Sequence, residues 1–93
     1  MTTPRSDQVM PPPWTAKQMD AYESARALLS AVIAAYSTRI GSSTAPQEAD
    51  RLKDLRSAHV VERRDLTAGH TARVNEINRD FVALLAAVQA GEQ

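Results

Sequence analysis

The sequence predicts an all-α protein built on an antiparallel helical hairpin. Of its 93 residues 43% are hydrophobic, yet only 4% are aromatic and three are glycine, a composition that favours helix over sheet. In two long stretches the apolar residues recur at alternating spacings of three and four, which is the period of one helix face. A six-residue turn separates the two stretches, a normal length between antiparallel helices.

Residues 1–14 contain four of the five prolines and show no periodicity, so they are predicted to form a disordered or extended arm. The first helix is predicted over residues 15–40. Thr15 followed three residues later by Gln18 is a capping box, and Gly41 offers a left-handed end.

The first helix carries a broad apolar face, which is typical of a helix that packs against more than one partner. Its line consists of Tyr22, Ala25, Leu29, Val32 and Tyr36, with Leu28 and Ile33 beside it.

Residues 41–46 are predicted to be the turn. Thr44 and Gln47 repeat the capping-box spacing, and Pro46 suits a first helical turn because its missing N–H is not needed there.

The second helix is predicted over residues 47–90, with a possible break near residues 67–71. Eight apolar residues from Leu52 to Val88 keep one helical phase, which favours a single helix. Four of the five residues of the segment TAGHT are poor helix formers, with a summed penalty of about 2–3 kcal/mol against alanine. We weigh the phase above the propensity, and a three-helix bundle broken at Gly69 is the alternative.

Length then predicts an unpaired apolar surface. At ~1.5 Å per residue the first helix spans about 39 Å and an unbroken second helix about 66 Å. The overhang, residues 73–90, holds the most regular apolar stripe, which would face water in a monomeric hairpin and invite association. The predicted contact surface is Leu29, Val32, Ile33, Tyr36, Val74, Ile77, Phe81, Leu84 and Val88.

Composition narrows the function classes. Eleven basic and eleven acidic residues cancel, so no long-range attraction to nucleic acid or anionic membrane is expected. The longest apolar run, residues 27–36, is about half of the ~20 residues that a membrane span needs. The chain has no cysteine, which suits the reducing cytoplasm.

No cofactor or metal is expected, and the chain is not expected to be an enzyme. His59 and His70 would lie ~16 Å apart on one helix, and Glu62 follows His59, the reverse of the order in helical di-metal sites. We find no nucleophile beside a base and no phosphate-binding glycine loop.

The predicted function is therefore a protein–protein interaction module, such as an adaptor, assembly component or regulatory subunit, whose partner is a second copy or another helical protein. The alternative is a small nucleic-acid-associated regulator that uses an arginine-rich helix face. That face would consist of Arg56, Arg63, Arg64 and Arg73.

Overall fold

The structure, a computed structural model, describes residues 14–92 and contains three helices in that range. They are α1 (Ala16–Ser42), α2 (Pro46–Asp65) and α3 (Thr71–Ala90). The all-α prediction is therefore confirmed. The arm predicted for residues 1–14 lies, apart from Trp14, outside the described residues.

The predicted start of α1 is confirmed, and its predicted end is wrong. The amide of Gln18 donates to the Thr15 hydroxyl at 3.1 Å, and the Thr15 amide donates to the Gln18 side chain at 2.8 Å. At the other end Gly41 is an ordinary helical residue, because α1 continues to Ser42. Two serines satisfy carbonyls at the end of α1 in place of the expected glycine cap. The Ser43 amide donates to the Ile40 carbonyl, and the Ser42 hydroxyl donates to the Arg39 carbonyl.

The start of α2 also differs from the prediction. Its N-cap is Ala45, whose side chain cannot cap, and the expected Thr44–Gln47 capping box does not form. Pro46 does occupy the first turn, as predicted. The hydroxyl of Ser43 serves the turn in place of threonine, accepting from the Ala45 amide at 3.4 Å.

The predicted unbroken second helix is corrected to the alternative, a break between Asp65 and Thr71. The intervening turn is closed by His70, whose amide donates to the Thr67 carbonyl at 3.1 Å while its Nδ1 accepts from the Thr67 amide at 3.1 Å. Leu66 and Ala68 are buried in this turn. The low helix propensity of residues 67–71 thus decides the outcome. The common apolar phase persists because each segment must turn an apolar line toward α1.

Helix α1 is the shared support of the bundle. Helix α2 lies antiparallel to it and α3 parallel to it, since Thr71 bonds Gln18 near the start of α1 and Val88 bonds Arg39 near its end. The backbones of α2 and α3, both fully described, keep farther apart, with no two Cα atoms within 8 Å. The buried core consists of Ala25, Leu29, Val32, Ala35, Tyr36, Leu52, Leu66, Val74, Ile77, Phe81 and Val88.

Helix α3 ends at Ala90 and is capped by Gly91, whose φ of 82° is left-handed. A side chain there would meet strain and the Arg39 guanidinium, whose Nη1 lies 2.7 Å from the position a Cβ would take. Within residues 14–92 no helix has the length and apolar character to cross a membrane.

Candidate interaction surface

The apolar stripe predicted to bind a partner is the core of this chain. Seven of its nine residues are less than 10% exposed: Leu29, Val32, Tyr36, Val74, Ile77, Phe81 and Val88. Ile33 and Leu84 are half-buried. The prediction placed these residues at a surface because it assumed an unbroken second helix. The turn at residues 66–70 folds α3 back onto α1 and covers the stripe.

Both histidines have structural roles. The ring of His59 stacks on Tyr36 with centroids 5.7 Å apart and meets the Phe81 ring edge-on at 5.6 Å. Burial lowers the pKa of His59, and the nearby Glu62 carboxylate only partly opposes this. His70 closes the turn between α2 and α3. Among the described residues no group of three or more His, Asp or Glu side chains is arranged to hold a metal ion.

An ion pair clips the end of α2 to the start of α3. The guanidinium of Arg73 meets both carboxylate oxygens of Glu62, with Nη2 to Oε1 at 2.8 Å, and also bonds Glu76 at 3.1 Å. It lies 5.3 Å from the Phe81 ring centroid, within cation–π range. The hydrogen bond from Arg73 lowers the pKa of Glu62, and the same bond raises that of Arg73. Arg73 therefore stabilises the bundle.

The four arginines of the predicted nucleic-acid face do not share a face. Arg73 is held by Glu62 beside α3, and Arg64 pairs with its neighbour Asp65 at 2.9 Å. Arg56 and Arg63 lie together instead on the side of α2 that borders α1. The face is thus reduced to two residues.

These two arginines belong to what we call the arginine seam, the outer edge of the α1–α2 contact. It comprises Arg56, Val60 and Arg63 of α2 with Ser30, Ile33 and Ser37 of α1. Arg56 donates to the Ser37 hydroxyl at 3.0 Å, and Arg63 donates to the Ser30 hydroxyl at 3.0 Å. Within the described range neither arginine has a carboxylate within 4 Å.

The two bonds share one antiparallel register. Arg56 and Arg63 are seven residues apart, as are Ser30 and Ser37, so Val60 and Ile33 fall at the same level between them. Val60 is 39% exposed, and Ile33 is half-buried. The seam thus presents cation, apolar and cation layers in turn.

Sequence reasoning found the arginines but missed the serines and Val60. A signal was present, since Ser30 and Ser37 repeat at the same seven-residue interval as the arginines. Recognising it required the register between α1 and α2, which the turn residues alone do not set.

The concave surface of the bundle is shallow. One depression is an open groove of about 400 Å³ between α1 and α3, lined by Ala31, Ala34, Ala35, Thr38, Arg39 and Gln89. Its one charged side chain, Arg39, donates to the Val88 carbonyl at 3.2 Å. This lining supplies no pair of groups for acid–base or nucleophilic catalysis.

Comparisons with protein-family models, with curated proteins and with solved structures found no match for this chain. Its function is therefore inferred from the geometry and charge of its own residues.

Proposed function

We propose that this chain is a non-enzymatic helical protein–protein interaction module that acts in the cytoplasm as an adaptor, assembly component or regulatory subunit. It associates through exposed helix faces with another helical protein or a second copy. The single observation that carries the proposal is the arginine seam, where two guanidinium groups that form no ion pair with residues 14–92 flank an exposed apolar side chain. The absence of cysteine supports a reducing compartment.

The seam has the features of a binding surface. Arginine is enriched in protein interfaces because its planar fork of donors pairs with carboxylates in two bonds at once. The serine hydroxyls hold both guanidinium groups in place, which lowers the entropy that a partner would have to remove on binding. Arg56 and Arg63 are both half-buried, so their stems are already ordered against α1.

The rest of the bundle supports a non-catalytic role. The Glu62–Arg73 pair and the His59 ring contacts link one helix to another, and His70 closes the turn between α2 and α3. The groove between α1 and α3 is too open to surround a substrate in the way that small-molecule sites do. The exposed arginine seam is therefore the feature most suited to a function, and an exposed surface of this kind functions by binding another molecule.

Affinity purification of the tagged full chain from its native host tests the proposal. Two variants keep the core intact: Arg56→Gln with Arg63→Gln alters the seam, and Ala34→Glu alters the exposed α1–α3 groove. We expect a host protein that wild type retains and at least one variant loses, with unchanged melting of both variants. If wild type retains nothing beyond the tag control, the chain is not an interaction module.

A further inference from the structure

We propose that the arginine seam is the docking site for an acidic amphipathic helix of another protein. The partner helix carries two carboxylates seven residues apart with one apolar residue between them. This inference rests on the proposed function and specifies the partner's chemistry.

The positive charge of Arg56 and Arg63 favours an acidic partner. Each guanidinium has five N–H donors in a fixed fork, and the structure commits Nη1 of Arg56 and Nη1 of Arg63 to serine hydroxyls. A serine accepts a hydrogen bond but does not neutralise the cation. Several arginines outside the seam are neutralised by carboxylates of the chain itself: Arg64 and Arg79 pair with adjacent aspartates, and Arg73 pairs with Glu62. The seam therefore holds positive charge that calls for a carboxylate from outside.

The distance between Arg56 and Arg63 along α2 matches that between two carboxylates on a partner helix. Seven residues of helix rise about 10.5 Å, so the two arginines lie that far apart along α2. A second helix lying along the seam has the same rise and presents carboxylates at positions i and i+7 at a matching distance. The residue at i+3 or i+4 of that helix falls over Val60 and Ile33, which share the level between the arginines.

The apolar layer favours a protein over a nucleic acid. Val60 is 39% exposed, and burying it requires an apolar partner atom, which a phosphate backbone does not offer. The chain's net charge is zero, whereas proteins that bind nucleic acid through phosphates rely on a net positive surface. Lys53, one turn before Arg56 on the same side of α2, adds further attraction for an acidic helix.

A synthetic peptide provides the probe. It is a capped, alanine-based helix of about 20 residues, with glutamate at positions i and i+7 and leucine at i+4. Its matched control has glutamine in place of each glutamate. Binding of both to the full chain is measured by fluorescence anisotropy. We expect the glutamate peptide to bind at least ~10-fold more tightly, since a charge-assisted pair is worth more than a neutral hydrogen bond.

Variants then locate the binding site. Arg56→Gln with Arg63→Gln is expected to weaken peptide binding ~10-fold or more. The control pair Arg64→Gln with Arg79→Gln removes the same charge away from the seam and is expected to change it less than ~2-fold. Val60→Ser, which alters no charge, is expected to weaken binding ~3-fold or more. Thermal melting of each variant verifies that the bundle is intact.

Three results overturn the proposal. They are equal or absent binding of the glutamate and glutamine peptides, unchanged binding by the Arg56 and Arg63 variant, and tighter seam-dependent binding of a DNA duplex of about 20 base pairs. The last result would assign the seam to nucleic acid. A host protein lost only from the Ala34→Glu variant would preserve the interaction function while refuting the seam. A wild type that retains no host protein would refute the function itself.

Discussion

Replacing Ile77 by alanine tests whether its apolar stripe is covered within one chain or by a second chain. Its side chain is fully buried on the face of α3 that packs against α1. Truncation removes buried methyl and methylene groups and leaves a cavity, which costs about 2–5 kcal/mol in well-packed cores. A domain of this size has a free energy of unfolding of about 5–15 kcal/mol, so the loss is a large fraction of the total. Val82→Ala, at a side chain 61% exposed, is the control and should cost less than about 0.5 kcal/mol.

The assay is urea unfolding followed by circular dichroism, repeated at two protein concentrations that differ ~100-fold. Because the stripe is covered within one chain, we expect the same midpoint at both concentrations for wild type and for the Ile77 variant. If the stripe were covered by a second chain, each tenfold dilution would lower the apparent stability by about 1.4 kcal/mol. A midpoint that falls on dilution even when the seam is altered by Arg56→Gln with Arg63→Gln, or a cost of Ile77→Ala below about 0.5 kcal/mol, would refute the folded-back bundle.

Three further predictions address the polar contacts and the helix ends. Burial holds the pKa of His59 below 6.5, so protonation favours the unfolded chain, and stability should fall as the pH drops below about 6.5; His59→Phe should flatten this part of the pH profile, and an unchanged profile would contradict it. A double-mutant cycle with Glu62→Gln and Arg73→Gln should give a coupling of about 1 kcal/mol, since both side chains keep solvent contact, and zero coupling would remove the clip. Calorimetry of two glycine variants should show opposite signs: Gly91→Ala destabilises by about 1 kcal/mol because of its left-handed φ, whereas Gly41→Ala, in open helical space, stabilises by about 0.5 kcal/mol.

Local signals in the sequence predicted one helix end correctly and two wrongly. The capping box at Thr15 involves residues three apart, so no tertiary information was needed to place the start of α1. The capping box predicted from the same spacing at Thr44 does not form, and the Ser43 hydroxyl accepts from the Ala45 amide instead. Gly41 does not end the helix, because the Ser42 hydroxyl and the Ser43 amide donate to the last carbonyls of α1.

Predicting the break between α2 and α3 required weighing a local signal, helix propensity, against a long-range one, the phase of the apolar residues. Propensity at residues 67–71 reported the local backbone correctly, while the apolar phase reported only that both segments face one partner. Covering the stripe also buried the residues that the sequence predicted as a contact surface. The arginine seam was beyond reach for a related reason: pairing Arg56 with Ser37 depends on how α1 and α2 align, a tertiary property.

Helices α2 and α3 share no close backbone contact, so the backbone of each packs against α1 alone, and only side chains such as Glu62–Arg73 and His59–Phe81 join them to each other. Proteins open in cooperative units, and this geometry defines two: α2 with the facing part of α1, and α3 alone. The contacts of α3 join residues far apart in sequence, such as Ala21 and Asn78. Their loss, together with that of the Glu62–Arg73 and His59–Phe81 contacts, frees a long chain segment and leaves the α1–α2 contacts intact. Detachment of α3 therefore costs less than global unfolding and converts the bundle into a hairpin whose apolar stripe is open to solvent.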